Sequence, residues 1–325
     1  MRAAWYERNG AAREVLEVGD MPVAEPTRGE VRVRMATSGV NPSDVKGRRG
    51  RPLTAPRIIP HSDGAGTIDA VGPGVEARRV GERVWLWNAQ WKRPFGTAAE
   101  YVVLPQEQAV RLPENIDFAA GACLGIPALT ALHSVRLHGD IAGRTILVTG
   151  AGSAVGHYAV QFAKARGARV IGTASDQKSA HARQAGADFV IDYRGKDVAR
   201  VVKELTGGVG AAGVIDMDFT GTAPLIGDGI VAPHGLVVSY GSNVAGPIPL
   251  SFPAMLWGSL TLKVFVVYEL RPEERRAAIG ELTGMLAAGR LRHSIGLRLP
   301  LAEVAAAHEA VEAGKVVGNV VIDVA

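Results

Sequence analysis

The sequence predicts a two-part α/β protein, in which a mostly β first third is followed by a doubly wound parallel sheet with helices on both faces. Three observations carry that prediction. Val31, Val33 and Met35 alternate with Arg32, Arg34 and Ala36, the period of two that a half-buried strand requires. From Thr145 onward, short apolar runs recur at spacings that leave room for helices between most of them. After the first of these runs comes a glycine-rich turn, Gly150-Ala-Gly-Ser-Ala-Val-Gly156, which opens a helix-like segment.

In the first part, further strand-like pieces lie at 66–71, 83–87 and 100–103, divided by punctuation such as Val71-Gly-Pro-Gly-Val75. Near Gly125 the pattern changes. The apolar runs then fall at 145–149, 168–173, 189–191, 213–216, 236–240 and 260–265. Pro272-Glu273-Glu274 is a helix-start signal, and Ile279, Leu282, Met285 and Leu286 keep one face apolar up to Gly289. A second helix over about 301–314 leads into a final strand at 319–324. Periodicity alone leaves two homes for this tail, the sheet domain or the β part.

At 325 residues and 47% hydrophobic content, the chain is long enough for two cores. The single cysteine, Cys123, excludes an internal disulfide and a cysteine-rich zinc lobe. Its apolar setting reads as an inert buried thiol, and a reducing cytoplasm is the expected location. No N-terminal stretch combines a basic start with an apolar run and a small-residue cleavage site, and the most apolar late stretch, 256–267, is short and contains Lys263, so neither export nor a membrane span is expected. The net charge of +4 comes with dispersed arginines, and nucleic acid is not the expected partner. One local basic cluster stands out, Lys46, Arg48, Arg49 and Arg51. It would attract an anionic cofactor phosphate or substrate, or simply sit solvated in a loop.

Thr145 to Lys164 reads as strand, glycine-rich turn and helix, the order of a Rossmann-type phosphate loop. Gly150 and Gly152 suit a tight turn close to a pyrophosphate. Ser153, Ala154, Val155 and Gly156 then bring a helix N-terminus to face the anion. An NAD-selective site usually places an acid at the end of the second strand. Here the strand end reads Gly172-Thr-Ala-Ser-Asp-Gln-Lys178, and Ser175 and Lys178 would welcome a 2′-phosphate. Asp176 turned inward would favour NADH, but one position beyond the strand it is expected to face solvent or cap the next helix. NADPH is the expected cofactor.

Several motifs together resemble the zeta-crystallin-like quinone oxidoreductase branch of the zinc-free medium-chain dehydrogenase/reductase superfamily. They include Gly39-Val-Asn-Pro-Ser-Asp44, His61-Ser-Asp-Gly-Ala-Gly66, Gly81-Glu-Arg-Val84, Gly125-Ile-Pro-Ala-Leu-Thr130, Gly186-Ala-Asp-Phe-Val-Ile-Asp-Tyr193 and Gly318-Asn-Val-Val-Ile322. The resemblance implies a GroES-like domain over 1–124, a Rossmann NADP-binding domain over 125–267, and a tail, 268–325, that returns to the first domain. It adds Tyr193 to Ser175 and Lys178 around the 2′-phosphate. It also implies that Asn41, Thr130, Phe265, Val266 and Val267 surround the nicotinamide, with Tyr240, Gly241 and Asn319 lining the rest of the groove. A homodimer is implied too, with the apolar strand 260–267 pairing edge to edge across a two-fold axis.

Two departures matter. Ser153 stands where the family's loop usually has a glycine, and the tyrosine often found after the Asn-Pro-x-Asp motif has no counterpart among residues 48–52. Zinc-dependent relatives need cysteine and histidine near 39–41 and at Ser62. This chain offers Asn41 and Ser62 instead, so no metal is expected, and His61 reads as structural.

Without a Lewis acid, an acceptor already electrophilic is the fitting partner, a quinone or similar activated carbonyl that takes hydride directly. The alternatives are an enone or enoyl reductase, and a cofactor-binding or nucleic-acid-binding protein without turnover. Asn41 is the candidate catalytic group, orienting the nicotinamide or donating to the acceptor oxygen, with a plain turn residue before Pro42 as the other reading. Trp87 and Trp91, with Phe95, form a candidate aromatic wall for a planar substrate, or simply pack.

Overall fold

The computed structural model describes residues 1–324; Ala325, the last residue of the expected tail, lies outside them. The chain divides into two compact units, Met1–Ile126 with Thr283–Ala325, and Pro127–Leu282.

In the first unit, strand Glu30–Val40 is the organising element. It pairs antiparallel with Asp63–Val71, Tyr101–Pro105 and Asn319–Asp323. The sheet continues through Arg83–Leu86 to Ala109–Arg111 on one side and to Ile295–Pro300 on the other. The alternation read from the sequence is realised in burial. Val31, Val33 and Met35 pack with Ile68, Val102, Leu104 and Ile322, while Arg32 turns outward to pair with both carboxylate oxygens of Asp69. Each such apolar side chain contributes roughly 1.5–3 kcal/mol by leaving water.

The basic stretch 46–51, for which a solvated loop was one reading, is instead helical, since Pro42–Gly50 form an α-helix with Arg51 at its C-cap. The cause is the N-terminal chemistry. Asn41 stands at the N-cap in extended conformation, Pro42 takes the first helical position, and Asp44 Oδ2 accepts the Asn41 backbone N–H at 2.8 Å.

The second unit is a six-stranded parallel sheet in the order Phe189–Asp192, Arg169–Ala174, Thr145–Val148, Ala211–Asp216, Val231–Ser239 and Thr261–Val264. Ile146, Leu147, Val148, Val170, Ile171, Val214, Ile215, Val237 and Val238 are all buried, as a sheet covered on both faces requires. The order reverses at Thr145–Val148, so the crevice beyond the carboxyl ends of that strand and its neighbours is the ligand position of such sheets. Residues 268–282, expected with the tail, belong to this unit. Arg275 donates to the carbonyl of Val267, and Glu281 pairs with Arg136 and Arg166. Among the described residues no helix is long and apolar enough to cross a membrane.

Candidate active site

Strand Thr145–Val148 delivers the chain to Gly150, whose φ of +62° is a conformation that glycine adopts without steric cost. A Cβ on Gly152 would stand 2.6 Å from the Lys178 Cβ, so the loop lies tight against the helix that follows the second strand. Ala154 and Val155 open the helix Ala154–Ala165, with Ser153 as its N-cap. Ser153 Oγ accepts the Gly156 N–H at 3.0 Å and thereby occupies one of the donors that face an anion at a helix start. Behind the loop, Thr149 and Ser239 donate to Asp216, tying three adjacent strand ends together.

At the end of the second strand, Ser175 is buried and is the N-cap residue of the helix Asp176–Gln184. Asp176 is exposed, as expected. The pairing of Phe189–Asp192 with Arg169–Ala174 carries Tyr193 and Arg194 toward the same strand end, with Asp192 opposite Ala174. Burial first, and then the Arg194 guanidinium, lower the pKa of the Lys178 ammonium. Arg194 also lies over the Tyr193 ring, 5.9 Å from its centroid. Lys178 thus lies within electrostatic range of a second cation that is stacked on Tyr193, and two cations suit a dianion. Sequence reasoning missed Arg194, although its place directly after Tyr193 was a usable signal.

Further along the sheet, Tyr240 follows Val231–Ser239, and its hydroxyl is buried with no hydrogen-bond partner among the described residues. Phe265 lies 6.5 Å from Tyr240 and meets the His133 ring edge-on at 4.7 Å, centroid to centroid. Gly241 accepts the Phe219 N–H, Val266 is half exposed, and Val267 is buried with its carbonyl on Arg275. Thr130 is buried in the helix Leu129–Leu137, its carbonyl accepting from Ser134.

In the first unit, Asn41 sits between two buried carboxyl groups. Its side-chain amide donates to Asp63 Oδ2 at 3.0 Å, and Ile126 N–H donates to the same oxygen at 2.9 Å. Asp63 Oδ1 is buried without a partner among the described residues. Burial, and then the neighbouring Asp44, raise the Asp63 pKa well above the usual carboxylate range, and burial raises Asp44 to about 7. Asn41 is thus a clamp on two acids, which supports the turn-and-cap reading of this residue.

His61 is fully buried at φ +78°, with Nδ1 on Ser38 Oγ at 2.8 Å and Nε2 on His308 Nε2 at 2.9 Å. His308 continues to Arg48, which is completely buried and also bonds Gly10 and Glu312. Among the described residues no three His, Cys, Asp or Glu side chains gather where they could hold a metal ion. Cys123 is buried, donates to the Ala119 carbonyl, and has its thiol pKa pushed up by burial.

Trp91 lines a cavity of about 150 Å³ together with Tyr6, Arg51 and Lys92, whereas Trp87 is outside that lining and donates Nε1–H to the Glu107 carbonyl. Phe95 is exposed. Asn319 directs both its backbone and side-chain N–H groups to the Ser294 carbonyl, at 2.8 Å each. Tyr6 was not anticipated, because it is distant in sequence from the other lining residues.

The arrangement defines a protein of the dinucleotide-dependent oxidoreductase class. Residues 27–114 match the family described as alcohol dehydrogenase GroES-like domain, and residues 154–284 match that described as zinc-binding dehydrogenase. A quinone oxidoreductase of Pseudomonas aeruginosa is 38% identical over 95% of each chain. A 2-haloacrylate reductase of a Burkholderia species is 31% identical over 99% of this chain and 98% of its own. Among solved structures, an NAD-dependent alcohol dehydrogenase is 32% identical with a TM-score of 0.89, and a mycobacterial protein complexed with NADPH is 29% identical with a TM-score of 0.86. Each comparison covers the whole of both chains. The chain belongs to the quinone oxidoreductase branch of the medium-chain dehydrogenase/reductase superfamily.

Proposed function

We propose that this chain is an NADPH-dependent, zinc-independent reductase that transfers hydride to a quinone or similar activated carbonyl acceptor. The observation that carries the reading is the close packing of Gly152 in the Gly150–Gly156 loop on Lys178, in the helix that Ser175 caps, with the Arg194 charge near enough to lower the Lys178 pKa. That donor set fits a 2′-phosphate, and exposed Asp176 leaves it unopposed. The relative complexed with NADPH supports the same cofactor.

NADPH, when bound, supplies the hydride. The protein's share is positioning. Gly150, Gly152 and the helix start at Ser153–Gly156 would hold the pyrophosphate; Ser175, Lys178, Tyr193 and Arg194 would hold the 2′-phosphate. The unpartnered Tyr240 hydroxyl, with Thr130, Gly241 and Phe265–Val267, forms the groove beyond them. In the first unit Asn41 is a positioning residue that fixes the start of helix Pro42–Gly50. Burial and the neighbouring Asp44 favour the protonated form of Asp63, and since Oδ2 accepts two hydrogen bonds, Oδ1 is the oxygen left to carry the proton.

Zinc independence rests on donor chemistry. Asn41 and Ser62 are poor zinc ligands, both His61 ring nitrogens are already engaged, and Cys123 is buried against Ala119. A homodimer is part of the proposal. Thr261–Val264 is an edge strand, and Val264, Phe252, Leu256 and Trp257 are exposed around it. We place the reaction in a reducing cytoplasm, consistent with one buried thiol.

A second reading, reduction of a conjugated double bond, is favoured by the similarity to a 2-haloacrylate reductase. An acceptor panel at fixed NADPH decides between the two. Turnover of benzoquinone supports the first, turnover confined to enones or acrylates replaces it with the second, and tight NADPH binding without turnover of anything leaves a binding protein.

A further inference from the structure

Strands Thr145–Val148 and Ala211–Asp216 are neighbours with Val148 opposite Ile215, so the same register sets Met217 next to Gly150 at the start of the phosphate loop. The Met217 backbone is held there. Its N–H donates to Thr149 Oγ1 at 3.0 Å, and its carbonyl oxygen lies 2.6 Å from where a Cβ on Gly241 would stand. The side chain covers the loop. A Cβ on Gly150 would collide with Met217 Sδ, so the thioether rests against the glycine α-carbon itself. At 36% exposure, Met217 is also the most accessible methionine among the described residues, since Met35 and Met285 are buried and Met1, Met21 and Met255 are half-buried.

We propose that the Met217 thioether is a site of reversible oxidation by hydrogen peroxide, and that its sulfoxide weakens dinucleotide binding at the Gly150–Gly156 loop. The inference rests on the reading of that loop as the dinucleotide site and adds a regulation to it. In the oxidation the peroxide O–O bond breaks, one oxygen forms a bond to sulfur, and the other leaves as water. Sulfur gives up two electrons and the peroxide accepts them. The one thiol does not compete, because Cys123 is buried and burial raises its pKa, which keeps the nucleophilic thiolate from forming.

The position of the sulfur makes the product consequential. A thioether is apolar and flexible, and it packs well on a glycine α-carbon. A sulfoxide is polar, and its oxygen carries partial negative charge. With Gly150 filling one side, that oxygen has no room toward the loop and turns to the crevice beyond the strand ends, where the strand order reverses and a pyrophosphate would lie. The repulsion acts on a group that NADPH and NADH share, whereas loss of Lys178 or Arg194 is expected to act on NADPH alone. A bound dinucleotide in turn covers the sulfur, so the oxidation falls on the empty site.

The test treats the protein with hydrogen peroxide, locates added oxygen on each methionine by peptide mass spectrometry, and titrates NADPH and NADH by fluorescence before and after. Met217 is expected to gain one oxygen first, more slowly under saturating NADPH, and affinity for both dinucleotides to fall about tenfold. A pair of methionine sulfoxide reductases, one for each epimer, should restore it. Met217→Leu, compared with its own untreated affinity, should be insensitive to peroxide, while Met255→Leu should lose affinity as the wild type does. Oxidation of Met217 without a change in binding, a loss that persists in Met217→Leu, a loss confined to NADPH, or resistance of Met217 while half-buried methionines oxidise would overturn the inference. Failure of the untreated protein to bind either dinucleotide rejects the cofactor reading and the inference with it; binding that survives oxidation of Met217 rejects the inference alone.

Discussion

Asn41 donates its side-chain amide to Asp63 Oδ2 at 3.0 Å, while the other oxygen of Asp63 lies buried without a partner among the described residues. A carboxylate in that position would be strongly disfavoured, and a carboxylic acid is tolerable. Asp63→Asn, which imitates the protonated acid, is therefore expected to cost less than about 1 kcal/mol at neutral pH. The pH dependence follows in sign. The folded pKa of Asp63 is raised, so its contribution is fully present below the unfolded carboxylate value and is lost as pH rises through the folded value. Urea unfolding from pH 5 to pH 8 should show a difference between wild type and Asp63→Asn that shifts in favour of the variant as pH rises. A flat difference would mean that Asp63 is ionised throughout.

Lys178 and Arg194 share one anion site in this account. Lys178→Ala and Arg194→Ala should each weaken NADPH binding on the order of tenfold and leave NADH binding nearly unchanged. Fluorescence titration with both dinucleotides measures this directly. Equal losses for the two would remove the 2′-phosphate assignment.

Ser153 Oγ takes the Gly156 N–H that would otherwise face the pyrophosphate. Ser153→Gly should therefore tighten NADPH binding by a factor of about three to ten, at a stability cost of only a few tenths of a kcal/mol, since glycine is an acceptable N-cap. Weaker NADPH binding in the variant would show that the hydroxyl itself holds the cofactor.

The open edge at Thr261–Val264 predicts self-association. Light scattering should give twice the chain mass of 34.1 kDa, and Val264→Lys should give the single chain. A wild-type monomer at micromolar concentration contradicts the edge-to-edge dimer.

Much of the fold was legible because it is written in local periodicity. The alternation at Val31, Val33 and Met35 and the order of strand, turn and helix around Gly150 need only neighbouring residues. Helix Pro42–Gly50 was missed although Asn41, Pro42 and Asp44 carry a start signal, since its arginines show no apolar stripe. Arg48 could not be placed from the sequence. Its partners Gly10, His308 and Glu312 are remote along the chain, so its burial is a tertiary fact. Arg194 reaches Lys178 only through the register of Phe189–Asp192 on Arg169–Ala174, and Tyr6 meets Arg51 and Trp91 only in the folded cavity. What remained hidden was the set of side chains brought together by strand pairing and helix packing.

Metal-free hydride delivery from NADPH is the proposed activity on which the other predictions depend. Its most direct measurement is the rate of NADPH oxidation with benzoquinone before and after exhaustive treatment with a strong chelator. Steady turnover at an unchanged rate is expected, reduced in Lys178→Ala through the KM for NADPH. Loss of turnover on chelation, restored by added zinc, would contradict it.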